Sequence, residues 1–293
     1  MLDKEDLEFY LEDLKSKFSK INPKDYYLSY SGGKDSHFLL WFIKDYAKIK
    51  GIEIVGCNTY MEHAEIRKRI YKYSDRVLLP DMKPFDIKQK YGIPCFSKEQ
   101  DYFIYSYQNS LRKGKKPART TLEKVNRTYH TGFFLSKKAS EYVLSGNAHK
   151  ITHLCCMHLK KEPFHAYEKE TGRKAILGIR GGESALRKVQ YKTCFTKQGK
   201  FTPIHDLSNE MEEAIIKEYN IEVPEVYEHI DRTGCMGCPY GSYKHDTEKE
   251  LMLINDKQFE FVCKYFKESY EILGINIDKI REQRKQLTIF DYI

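Results

Sequence analysis

The sequence predicts an α/β protein: a parallel twisted sheet with helices on both faces, plus a small carboxy-terminal extension. Three observations predict it. The segment Asp25-Tyr-Tyr-Leu-Ser-Tyr30 is rich in β-formers and runs into the turn Ser31-Gly-Gly-Lys-Asp-Ser36, after which an apolar helical run spans about 37–46. A second strand, about 53–60, leads to a helix at about 62–73, and a third short strand covers 76–80. This alternation of strands and helices implies a parallel sheet covered on both faces.

The other elements follow in order. Leu7, Leu11, Leu14 and Phe18 recur at helical spacing, which makes residues 3–20 an amphipathic opening helix. Residues 97–130 read as irregular, with Tyr102, Phe103, Tyr105 and Tyr107 set beside a basic stretch at 111–119. That basic, aromatic-laced insertion suits either nucleic-acid contact or a lid over a bound nucleotide. Ala175–Ile179 is a buried-strand candidate, and Ser208 is placed to cap a helix. The tail from about 245 to 285 reads as helical, while Leu287–Ile293 takes no clear assignment. The predicted organisation is an amino-terminal helix (1–20), a nucleotide-binding α/β domain (21–230) and an extension (231–293).

Composition bounds the function. The 293 residues are 41% hydrophobic and 31% charged, enough apolar material for a packed core and too little bias for disorder. A mean hydropathy of -0.65, with no apolar run near 18 residues, excludes a membrane-spanning helix and a membrane partner. The opening helix is acidic rather than basic then apolar, unlike a secretory signal, so a cytoplasmic location is expected. A net charge of +8, from 50 Lys and Arg against 42 Asp and Glu, favours anionic partners.

The turn at 31–36 carries the first chemistry. Glycine lets backbone pass close to an anion, and the helix that opens there aims its free N–H groups and dipole at it. Lys34 adds a mobile positive charge, and Ser31 and Ser36 add hydroxyls. The spacing is not that of the kinase-like phosphate loop. From local physics alone an ordinary Gly-Gly turn is the competing reading.

The eight cysteines carry the second. In a reducing compartment they do not read as disulfides. Cys155-Cys156 and Cys235-x-x-Cys238, separated by 78 residues, read as ligands of a [4Fe–4S] cluster or a zinc ion, and spacing does not choose between them. Cys263, in an apolar helical setting, reads as core. Cys194 reads as either a sulfur relay or a small buried residue.

The segment Ser31–Ser36 resembles the Ser-Gly-Gly-x-Asp-Ser signature of the PP-loop ATP pyrophosphatase superfamily, whose fold is Rossmann-like and of the adenine nucleotide alpha hydrolase type. The cysteine pattern is similar to that of the APS/PAPS reductase family. Cys155-Cys-Met-His-Leu-Lys-Lys-Glu-Pro163, Ile176-Leu-Gly-Ile-Arg180 with Glu183-Ser184 and Arg187, and Thr202-Pro-Ile-His-Asp206 with Asn220-Ile-Glu-Val-Pro224 resemble further segments of that family. The resemblance spans about residues 25–242.

What it implies is an adenine nucleotide, ATP or APS/PAPS, held by Ser31, Gly32, Gly33, Lys34, Asp35 and Ser36, with Thr59 at a second nucleotide-contacting turn. Arg180 and Arg187 would face the anion through their forked donors. Asp35 would help hold Mg2+ or order the loop. Cys155, Cys156, Cys235 and Cys238 would hold a [4Fe–4S] cluster. Asn147 would serve either at the nucleotide or as a turn former.

Two departures redirect the expectation. The reductases carry a nucleophilic cysteine in a Glu-Cys-Gly-Leu-His tail, whereas this chain ends Leu287-Thr-Ile-Phe-Asp-Tyr-Ile293. Leu207 also stands where the family has tryptophan. The cluster-bearing ATP-dependent sulfurtransferases of the superfamily need no such thiol. The expected activity is therefore adenylating sulfur transfer, to a nucleic-acid or small-molecule acceptor, with a protein electron or sulfur donor. APS/PAPS reduction and a nucleotide-binding redox regulator are the alternatives.

Overall fold

The structure, a computed structural model, describes residues 2–128, 132–181, 191–230, 234–241 and 247–290, without the side chains of 287–290. In chain order the elements are α1 (Lys4–Phe18), β1 (Tyr26–Tyr30), α2 (Lys34–Trp41), β2 (Glu53–Cys57), α3 (Ala64–Tyr73), β3 (Arg76–Leu78), α4 (Pro84–Tyr91), α5 (Lys98–Arg112), α6 (Arg119–Val125), α7 (Lys137–Leu144), α8 (Glu162–Thr171), β4 (Lys174–Ile176), α9 (Asn209–Glu218), α10 (Thr247–Leu253), α11 (Asp256–Leu273) and α12 (Ile277–Phe290). They divide into two compact units: 1–58, 65–79 and 162–227 form the first, and 59–64, 80–161 and 228–293 the second.

The first unit is the predicted α/β fold. Its sheet has four parallel strands in the order β3-β2-β1-β4, with Leu28 of β1 opposite Ile54 of β2 on one side and Ile176 of β4 on the other. Alternation along β1 sends Leu28 and Tyr30 into a core shared with Leu7, Leu11, Leu14 and Phe18 of α1, Phe38 and Leu39 of α2 and Ile215 of α9. The opposite face packs Tyr27, Val55 and Ala175 against Phe164 and Tyr167 of α8. Both faces are therefore buried, as a parallel sheet requires. Gly56 permits the contact of β2 with α3, because a Cβ there would meet Ser74 Oγ at 2.5 Å. From β1 the chain builds outward through β2 and β3, then returns to place β4 on the other side. In open sheets ligands bind outside the carboxyl ends of the strands at such a reversal.

The second unit is helical. The stretch read as irregular at 97–130 instead forms α5 and α6. Ser97 caps α5 by accepting from Gln100 N at 3.2 Å, and Ile104 is buried beside Val125, Leu135 and Ala139. The helical tail appears as α10, α11 and α12, the last reaching Phe290 and so covering part of the unassigned end. Among the described residues, no helix is long and apolar enough to cross a membrane.

Candidate functional site

The turn at 31–36 leaves the carboxyl end of β1, at the reversal in strand order, and opens α2. Gly32 takes φ of 76°, in the left-handed region that favours glycine, and a Cβ there would lie 2.9 Å from the Ile66 carbonyl of α3. The loop braces itself: Ser31 N donates to Ser36 Oγ at 3.2 Å, and Ser36 Oγ donates to Gly33 O at 3.0 Å. Tyr227 Oη accepts from Lys34 N at 3.1 Å. Buried Arg69 of α3 donates Nε to Gly32 O at 3.3 Å while its guanidinium pairs with Glu222. Beneath the loop Tyr30 Oη lies 3.0 Å from His37 Nδ1, and burial lowers the His37 pKa to about 4, which keeps that ring neutral.

Two expected anion ligands meet beside the loop, and both are engaged by carboxylates. Gly178 passes against the start of α2, where a Cβ would stand 3.1 Å from the Asp35 carbonyl. That close approach brings Arg180 to the site: its Nε donates to Asp35 Oδ1 at 2.6 Å, and its Nη1 donates to Asn209 Oδ1. Asp35 thus orders the loop through Arg180. Glu212 of α9, with 0% of its side chain exposed, lies 2.9 Å from Lys34 Nζ and 3.3 Å from Arg180 Nη2. Burial, then the charge of Asp35, raises the Glu212 pKa to about 7 against the pull of Arg180.

Sequence reasoning missed Glu212, Arg69 and Tyr227. Glu212 stands three residues before fully buried Ile215, and that i, i+3 relation was the available signal. It was hidden because Glu210, Glu212 and Glu213 together read as acids suited to a helix amino terminus. Arg187, with Glu183 and Ser184, lies outside the described residues.

Cys194 lies 3.9 Å from His205 Nδ1, but that nitrogen also faces the Thr202 carbonyl at 3.2 Å. The ring therefore donates there and cannot act as a base toward the thiol, and burial raises the Cys194 pKa.

The four paired cysteines all belong to the second unit. Cys235 to Cys238 is a tight turn: Cys238 N donates to Cys235 O at 3.1 Å, and Gly237 takes the left-handed φ of 60° at its third position. Two hydroxyls pin the turn, with Tyr270 Oη donating to Gly237 O at 2.5 Å and Tyr240 Oη to Asp101 Oδ2 at 2.8 Å. Asp101 is fully buried and also accepts from Cys95 N and Phe96 N. Cys155 Sγ and Cys156 Sγ are 4.0 Å apart.

The thiols feel one another. Its contact with Cys156, then burial, then the charges of Cys156, Cys238 and Cys235 raise the Cys155 pKa. Burial, followed by Cys156, raises that of Cys238 to about 12. Cys156 is the exception: the Cys155 hydrogen bond, aided by Lys98, Lys160 and Lys161, lowers its pKa to about 6. Among the described residues, no three Cys, His, Asp or Glu side chains already converge as a metal-binding group. Cys263 is buried on α11, as read from sequence.

Thr59 belongs to the second unit, where its N–H donates to the Glu62 carboxylate at 3.1 Å and its hydroxyl bonds the same group. Asn147 is an exposed turn former whose N–H donates to Ser145 Oγ.

The fold and loop define a class: an α/β protein with a parallel sheet of four strands and a glycine turn at its point of reversal. Among solved structures, the chain is similar to the NH3-dependent NAD synthetase of Campylobacter jejuni, solved with nitrate ion. The TM-score is 0.37 and the identity 11%, over 92% of this chain and 96% of that one. No family model and no curated protein matches the chain.

Proposed function

We propose that this chain is a PP-loop enzyme that binds ATP, cleaves it between the α- and β-phosphates and uses the adenylated acceptor for sulfur transfer. The observation that carries the reading is the Ser31–Ser36 turn at the sheet's reversal point, with Lys34 and Arg180 beside it. An acceptor oxygen attacks the α-phosphorus, the bond to the β-phosphate breaks, and pyrophosphate leaves with the electron pair. Lys34 and the backbone N–H groups that open α2 stabilise the phosphate charge, while Mg2+ neutralises the leaving group. Arg180 steadies the anion, and Arg187 adds a second guanidinium.

The donor set of the second unit fits an iron–sulfur cluster: four soft thiols, of which Cys155, Cys156 and Cys235 pack in an apolar cluster, with Lys98, Lys160 and Lys161 compensating negative charge at Cys156. Cys155, Cys156, Cys235 and Cys238 would hold it, and when bound it supplies or relays sulfur. A soft-ligand cluster of this kind carries about four irons per chain. Cys156→Ser and Cys235→Ser are each expected to lower the iron content of anaerobically purified protein below half of wild type. About one zinc per chain and no iron would overturn the assignment.

The deciding experiment incubates anaerobic, cluster-loaded protein with ATP and magnesium. With no acceptor present, water takes its place in attacking the α-phosphorus, and AMP and pyrophosphate are the expected products. Sulfite from APS or PAPS with a thiol donor, and no AMP from ATP, would replace this reading with sulfonucleotide reduction.

A further inference from the structure

Glu212 has no role in the function proposed above, yet its position is the least ordinary in the first unit. Its side chain is fully buried, and neither carboxylate oxygen has a hydrogen bond of good geometry, although Lys34 of the loop and Arg180 beside it lie within ion-pair distance. A buried carboxylate in that condition depends on those two cations, and when one is withdrawn it must take up a proton or carry a large cost.

Count the charges around it. Lys34 and Arg180 supply two positive charges, and Asp35 and Glu212 two negative ones. With both acids ionised the quartet is neutral, and an incoming phosphate meets no net attraction. Lys34 is the member able to move, since its side chain is 20% exposed, whereas Arg180 remains tied to Asp35 and Asn209.

We propose that Glu212 is an internal anion that competes with the ligand's phosphate: it holds Lys34 and Arg180 in the empty site, yields Lys34 when phosphate arrives, and takes up a proton in exchange. This rests on the reading of the 31–36 turn as a phosphate site and adds a proton linkage to it. The balance is simple. One ammonium–carboxylate contact breaks, one ammonium–phosphate contact forms, and a solvent proton binds the stranded carboxylate.

The groups facing Glu212 are compatible with this exchange. Lys34 and Asp35 come from α2, Arg180 from the segment after β4, and Tyr10 from α1, with Asp13, Asp206 and Cys194 beyond Tyr10. Burial and the charge of Asp35 raise the Glu212 pKa to about 7 against the pull of Arg180 and Lys34, so withdrawing Lys34 tips the carboxylate toward its protonated form.

The test is calorimetric titration of the full chain with magnesium and α,β-methylene-ATP, which resists α–β cleavage, in buffers of differing protonation enthalpy. Inorganic sulfate, a dianion of fixed charge, is titrated in parallel. Wild type is expected to take up a proton with either ligand, and to bind about 3- to 10-fold more weakly at pH 8 than at pH 7, the slope that one linked proton gives. Glu212→Gln should bind about 10-fold more tightly than wild type at pH 8, with a flat profile and less proton uptake. A merely structural glutamate predicts the opposite, weaker binding by the variant.

Should Glu212→Gln fail to fold, the wild-type proton uptake decides alone. Its absence with both ligands overturns the inference. Uptake with sulfate but no nucleotide binding overturns the ATP reading and leaves the inference standing.

Discussion

Lys34→Ala is expected to lower the rate of AMP formation from ATP by about 100- to 1000-fold, the usual loss when one preorganised charge donor is removed from a developing anion. Nothing else described in the loop can replace it. The hydroxyls of Ser31 and Ser36 bond each other, and Arg180 is held by Asp35 and Asn209. Stability should change little, because the ammonium is partly exposed and Glu212 keeps Arg180 as a partner. Quenched-flow product analysis beside a thermal melt checks both halves. A loss of rate matched by an equal loss of folded protein would remove Lys34 from the machinery.

Gly92→Ala should cost about 3–5 kcal/mol, among the largest effects available to one methyl group. Gly92 has φ of 101°, and a Cβ there would lie 2.0 Å from the Lys150 carbonyl oxygen. Backbone cannot yield as a flexible side chain does. The contact also cannot be given up cheaply, since Ile93 N donates to Lys150 O and Thr152 N to Ile93 O, each at 3.0 Å. That bridge leads through Leu154, whose N–H is held by Thr152 Oγ1, directly into Cys155 and Cys156. Urea unfolding with an unchanged slope and a lower midpoint is the expected signature. Gly114→Ala is the control: its φ of 64° is similar, but no atom lies within 4 Å, and about 1–2 kcal/mol is expected.

The half of the fold that was legible in sequence is the half with strong local signals. Tyr26–Tyr30 combines β-formers with alternation, its successor is a glycine turn, and Ser208 precedes its helix as a cap whose Oγ does accept from Met211 N. The stretch 97–130 misled because its aromatics suggest strand or surface, while only Gln100, Asp101 and Ile104 of α5 are buried. A helix that buries so few apolar residues has little periodicity to read.

The candidate site divides the same way. The 31–36 turn and the cysteine pairs are short-range patterns. Glu212, Arg69 and Tyr227 reach the loop from 178, 35 and 193 residues away in sequence, counted from Lys34, and contacts of that separation leave no trace in any window. The sequence also offered Arg180 as a free anion ligand; the structure gives it Asp35, Asn209 and Glu212 first.

The interleaving of the two units has a consequence for how the protein is made. The chain passes between them after residues 58, 64, 79, 161 and 227, so neither unit is a continuous stretch of message. A ribosome releases Cys155 and Cys156 long before Cys235 and Cys238, and the helix that carries Tyr270, which pins the second pair, is translated later still. The early thiols therefore emerge as a pair on their own while the rest of their unit is synthesised. Any group held in common by the four thiols can be completed only after residue 238 has been made, and a nascent chain stalled before residue 235 would expose a lone cysteine pair to oxidation.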